Sequence, residues 1–249
     1  MIEIKSHITV PRSIFSEFVD DKNFLYKYEV KNYRISQGFP KSTYTEEGYY
    51  SDIIEAALNK HVETPLKKLI NYAKQLPNSE LFVWDKEIME TAKLYVKALF
   101  ARSPIVCKKA IDESIFLQFA ETTNQEEHDF VVDIVMSGDN FEMISQEFIF
   151  TFMVNLTQTP FVIPTSGMYG FTMGSAKCIN VPLTPWCAIL MKEKGKVLLG
   201  EKTNDAFVVP AGSDNIMMKL NKFAFESQKR DNIGYVVSGE KNILEQLVL

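Results

Sequence analysis

Apolar positions through the middle of this chain recur at helical spacing. From a start at Ser51-Asp52, Ile54, Leu58 and Val62 continue one face until Thr64-Pro65, where proline predicts a kink or break. Leu66, Leu69, Ile70 and Ala73 carry the stripe on to Leu76. Asp85 is placed to cap a second helix, whose buried face is Ile88, Ala92, Tyr95, Val96 and Leu99. Ser103-Pro104 pairs a capping residue with a first-turn proline and predicts a third helix to about Ala120. Thr123 with Glu126 fits a capping box and opens a fourth through Phe130, Val131 and Ile134.

Outside this block the pattern shortens. Asn23 to Val30 has strand character, and Tyr33 to Tyr50, broken by Gly38, Pro40 and Gly48, predicts a long polar loop. After Ser137-Gly138-Asp139-Asn140, Phe148–Val154 and Phe161–Ile163 form two apolar runs, joined by 155–160 as a hairpin or strand pair. Tyr169–Ser175 is expected to be a mobile loop. Cys187–Met191 predicts a buried strand and Asp214–Phe225 a helix with Ile216, Leu220 and Phe223 on one side. Tyr235-Val236-Val237 returns as a last strand. Helices followed by strands, without regular alternation, predict an α+β fold. A helical middle segment would pack with a mixed or antiparallel sheet built mainly from the C-terminal half. The expected organisation is one globular domain over 1–249, with a subdivision near 137–140.

Composition narrows the function classes. Apolar residues at 46% supply a large core, and a net charge of -5 gives no support to general duplex binding. The pairs Lys67-Lys68 and Lys108-Lys109 each have carboxylates close by. No apolar run is long enough for a membrane-spanning helix, and the opening residues lack the pattern of a secretory signal. Three cysteines, Cys107, Cys178 and Cys187, without CxxC spacing point to a reducing, cytoplasmic compartment. His7, His61 and His128 have neither i, i+4 spacing nor a nearby cysteine, so no metal is expected and no motif names a cofactor. His61 and His128 are both expected to face solvent.

Four segments, taken in order, resemble a bacterial family named domain of unknown function 4238. His7-Ile8-Thr9-Val10-Pro11-Arg12 through Phe18 is similar to its opening HHYVPxxYLxxF pattern, and Arg102-Ser103-Pro104 to its R-T-P element. Pro160 to Gly167 resembles a strand ending in T-S-D-N-P, and Val181-Pro182-Leu183-Thr184-Pro185 its P-L-[ST]-P element; Leu220-Asn221 also fits. Ile8 replaces the second histidine of the pair, and Gly167 replaces the acidic residue. The resemblance implies a link to anti-phage defence.

On these segments lie the candidate site residues. His7 and Arg102 are the catalytic candidates, with imidazole as acid or base and guanidinium on an anion. Arg12, Thr165 and Ser166 are the substrate-binding candidates. Each has a plainer reading: His7 as a hydrogen-bonding anchor, Arg102 as a cap on open helix carbonyls, Thr165-Ser166 as a turn. The rings near Phe24, Tyr26, Tyr28 and Tyr33 invite base stacking, or simply a half-buried strand. The leading expectation is a nucleic-acid-directed activity; the alternative is a non-enzymatic module that binds a protein partner.

Overall fold

The structure is a computed structural model, and it describes residues 5–79, 86–114, 122–139, 141–142, 146–196, 201–203, 206–232 and 234–249. The fold is α+β. Its larger sheet comes from the C-terminal half: β5 (Phe148–Asn155), β7 (Tyr169–Met173), β8 (Ala176–Thr184), β9 (Cys187–Glu193), β10 (Glu201–Thr203) and β11 (Ala206–Val209). The order is β10-β11-β5-β9-β8-β7, antiparallel except where β11 runs parallel to β5. A smaller antiparallel sheet, β3-β2-β12-β6, joins β2 (Leu25–Glu29) and β3 (Arg34–Gly38) to β6 (Ile163–Pro164) and β12 (Tyr235–Ser238). The opening strand β1 (Lys5–His7) pairs only with β4 (Thr45–Glu47) among the described strands.

The helical middle forms much as its stripe predicts. In α2 (Asp52–Leu58) the Ser51 hydroxyl accepts the Ile54 N–H at 3.4 Å. Thr64-Pro65 does not break the run: a π-helical turn over Asn59–Glu63 feeds directly into α3 (Thr64–Gln75). The wider turn removes the clash that proline makes with the preceding carbonyls. Leu66, Leu69, Ile70 and Ala73 are buried, and Tyr72 lays its ring 5.6 Å from that of Phe152 on the larger sheet. In α4 (Lys86–Ala101) the expected face is buried throughout; Asp85, its expected cap, lies outside the described residues. α5 (Pro104–Glu113) begins at the Ser103-Pro104 pair and gives way to extended backbone at Ser114, while 115–120 lie outside the described residues. The capping box of Thr123 and Glu126 opens α6 (Asn124–Ser137).

Several expectations are overturned. Tyr33–Tyr50 is not one loop, because it holds β3, a 3-10 turn at Pro40–Ser42, and β4. β3 is an edge strand whose only apolar side chain is Ile35, so it lacks the apolar alternation that marks a strand. Residues 155–160 do not close a hairpin: the runs they join enter different sheets. Tyr169–Ser175 is no mobile loop but β7 and the turn into β8, with Gly174 at φ 62°.

The long helix α7 (Asp214–Asp231) also turns differently from its apolar pattern. Ile216 and Phe223 are exposed, while Met217, Leu220, Asn221, Ala224, Phe225 and Gln228 are buried. Asp214 accepts from Gln158 N at 3.0 Å and Thr159 Oγ1 at 2.7 Å. Asn221 accepts from Val162 N at 3.0 Å and donates to Pro160 O at 2.8 Å. Gln228 accepts from Thr165 Oγ1 at 3.0 Å and donates to Ser166 Oγ at 3.1 Å. Two helical turns advance about 10.5 Å, close to the reach of three extended residues, so this polar series keeps step with the strap at 158–166. Asn221 and Gln228 sit among the apolar residues of the inner face because the strap's polar groups need partners. α8 (Lys241–Val248) closes the smaller sheet through Ile243, Leu244 and Leu247. Among the described residues no helix is long and apolar enough to cross a membrane.

Candidate functional site

Three of the four segments singled out in the sequence meet in the interior. Thr9 Oγ1 donates to Arg102 O at 3.3 Å, and Arg102 Nε donates to Ile8 O at 3.3 Å while Nη2 donates to His7 O. Arg102 Nη1 reaches Glu63 at 3.3 Å, and its guanidinium lies 5.5 Å from the centre of the Tyr50 ring. Tyr50 in turn donates to Ile8 O at 2.9 Å. At the far side Gly167, at φ 75°, sits so close to the opening segment that a Cβ there would lie 3.0 Å from Val10 and 2.6 Å from Leu99. Only glycine fits that position.

The chemistry of this meeting point is that of a joint. The Arg102 side chain is 1% exposed, and its donors go to carbonyls of the opening segment and to Glu63. Burial opposes its charge, but Tyr50, Glu63 and Glu55 more than offset this, leaving its pKa above the ordinary arginine value. His7 is half-buried with Nδ1 unpartnered; burial, with the Arg102 charge second, drives its pKa down to about 4. A base that weak takes up protons poorly at neutral pH. Thr165 and Ser166 are buried and turned towards Gln228, not towards His7, and Thr165 Oγ1 also accepts Tyr235 N at 3.1 Å. Gly234 admits this contact, since a Cβ there would fall 1.9 Å from Thr165 Oγ1.

Arg12 stands apart. It is exposed on the short helix α1 (Arg12–Phe15), at the mouth of a groove of about 220 Å³ shared with Ser16, Asn23, Phe39, Pro40 and Lys41. Val19 borders this groove and a second of about 390 Å³, where Asp20, Asp21 and Glu240 gather near Trp186. The second groove also touches Phe161 and Pro185, so the fourth segment arrives there through the 2.9 Å bond from Phe161 N to Pro185 O.

A third hollow, again of about 220 Å³, lies between α2 with its π turn and α6. Ile54, Ala57, Leu58, Val62, Val132 and Met136 give it apolar walls, and the exposed His61 and Asp133 border it. Ile53, one helical turn before Ala57 of that lining, is 80% exposed. Of these groove residues only Arg12 was a candidate site residue in the sequence. The available signal was the Ile53-Ile54 pair, of which a single helical stripe can bury only one.

His61 is exposed as expected, whereas His128 is half-buried and stacked on Tyr49 with ring centres 3.9 Å apart. All three cysteines are buried, and burial raises the Cys107 thiol to about 11. Among the described residues no three acidic, histidine or cysteine side chains group as metal ligands. No protein-family model, curated protein or solved structure matches the chain.

Proposed function

We propose that this protein is a binding module that docks an amphipathic helix, with basic residues flanking its apolar ridge, into the hollow between α2 and α6. The observation that carries this reading is the apolar wall of that hollow beside the 80% exposed Ile53. A helix in a groove buries residues at i, i+3, i+4 and i+7, and an exposed isoleucine at the lip extends the surface such a ridge covers. The charge of the partner follows from the walls. Asp133 lines the hollow, and the same elements carry Glu126, Glu127 and Asp129 on α6, Asp52 and Glu55 on α2 and Glu63 in the π turn, against the single cation Lys60. Basic flanks complement that rim, and acidic ones are repelled. Further support comes from the commitment of Arg102, Thr165 and Ser166 to internal contacts, which leaves little of the expected catalytic set to meet a substrate. Kinship with domain of unknown function 4238, and a place in anti-phage defence, is a separate proposal that rests on the four sequence segments.

The test uses two synthetic helices with the same leucine ridge, one flanked by lysine and one by glutamate. The lysine version is expected to bind at about 10–100 μM, and the glutamate version roughly tenfold or more weaker. Ile53→Asp should weaken the lysine helix about tenfold or more at unchanged thermal stability, and Met136→Asp should do so with some loss of stability, since Met136 also packs against the core. Equal affinity for both helices, or an unchanged Ile53→Asp variant, refutes the reading; self-association that fills the hollow with a second copy does so too.

A further inference from the structure

The groove at α1 is chemically unlike the hollow just described. Its walls offer two cations, Arg12 and Lys41, both exposed and, among the described residues, neither in an ion pair. The nearby Glu17 is already held by Lys74 at 2.8 Å. Phe39, 46% exposed, presents a ring to the same groove and is braced from behind by Phe24, ring centres 4.8 Å apart. Ser16 and Asn23 add a hydroxyl and an amide. The Phe39 carbonyl is tied down by Thr43 Oγ1 at 2.9 Å and Ser42 Oγ at 3.3 Å, which fixes the turn that carries both the ring and Lys41.

We propose that this groove binds a mononucleotide-class ligand, with its phosphate between Arg12 and Lys41 and its base against Phe39. Two cations meeting one anion, with a hydroxyl and an amide beside them, match a phosphate, and a braced ring supplies a stacking platform that accepts any base. The neighbouring groove sets the size. Beyond Val19 the lining turns to Asp20, Asp21 and Glu240, which repel a phosphate chain continued in that direction. One phosphate is favoured there and a polynucleotide is not. The groove is small and open, so binding is weak and fast.

Titration of the full chain with AMP, adenosine, inorganic phosphate and a short single-stranded oligonucleotide, followed by amide chemical shifts, tests this. AMP is expected to saturate between about 0.1 and 1 mM, with shifts centred on Arg12, Asn23 and Lys41, and with adenosine and phosphate each roughly tenfold weaker. Arg12→Ala and Lys41→Ala, both at exposed sites, should each weaken AMP at least about fivefold. Phe39→Ala should erase the advantage of AMP over phosphate while leaving phosphate binding intact. The proposal is overturned by phosphate binding as tightly as AMP, by an absence of saturation at about 10 mM, or by AMP affinity that survives Arg12→Ala. An oligonucleotide that binds tenfold more tightly than AMP would replace the mononucleotide with a nucleic acid and also overturn it.

Discussion

At the scale of single residues the joint between the opening segment and the interior has an acid weakness. The sign follows from His7, whose folded pKa of about 4 lies below its ordinary 6.5. Between those values the unfolded chain binds a proton that the folded chain refuses, so stability falls as pH drops from about 6.5 to 4 and is unaffected by this group above that window. The full loss is of the order of 3 kcal/mol. His7→Phe keeps a ring against Phe15, whose centre lies 6.0 Å from that of His7, and removes the titration. Urea denaturation at pH 7, 5.5 and 4 should therefore show a shallower pH slope for His7→Phe than for the native chain; equal slopes would mean that His7 is not the responsible group. Glu126 and Asp214, whose carboxyl pKa values are lowered by hydrogen bonds to Thr123 and Thr159, act only below the ordinary carboxylate range and leave the upper part of the window to His7. Much of this was beyond the reach of sequence. His7 and Arg102 could be named as residues of interest, but their mutual contact spans 95 positions, and no local pattern encodes a guanidinium that ends on the carbonyl of a histidine.

At the scale of elements α7 teaches the same lesson from the opposite side. A helix read by its apolar spacing places Ile216, Leu220 and Phe223 on one side, and of these only Leu220 is buried. The inner face instead combines Met217, Leu220, Ala224 and Phe225 with a polar series, Asp214, Asn221 and Gln228, recurring every seven residues and each bonded to the strap. Burial and apolarity usually coincide, which is why the helices α3 and α4 were legible position by position. They part company where a helix must satisfy the main chain of an irregular neighbour. Asn221 is the central member and is fully buried. Asn221→Ala leaves Val162 N–H and Pro160 C=O without their partner and is expected to cost about 2–4 kcal/mol in chemical denaturation. Asn221→Leu, which restores volume but not the bonds, should rescue little; recovery to native stability would mean that packing, not polar pairing, sets the helix in place.

At the scale of the whole molecule, buried side chains from Val10 to Leu247 form one contiguous cluster, and the smaller sheet interleaves strands from distant parts of the chain. β2 pairs along its length with both β3 and β12, so loss of the late strand would open the early one. Heat or urea should therefore unfold the chain in one transition that coincides by calorimetry, far-ultraviolet dichroism and tryptophan fluorescence. Two separated transitions would place independent folding units on either side of 137–140. The α+β class and the C-terminal origin of the larger sheet were readable because β5 and β9 are dense in apolar residues, whereas β8, with Pro182 inside it, was not read as a strand. Of the smaller sheet only β2 and β12 were readable as strands; their pairing was not, since β3 is polar and β6 is two residues long. Pairings of such strands are set by the completed interior and not by their own sequences.

That interleaving bears on how the protein is made. The hairpin of β2 and β3 leaves the ribosome about 200 residues before Tyr235 arrives to cover its open side, roughly 10 to 40 s at ordinary translation speeds. Throughout that delay the nascent chain displays an unsatisfied edge bearing Leu25, Tyr26 and Tyr28, and a growing polysome would hold many such edges close together. Slow codons between these regions would lengthen the exposure, and a holding chaperone would shield it.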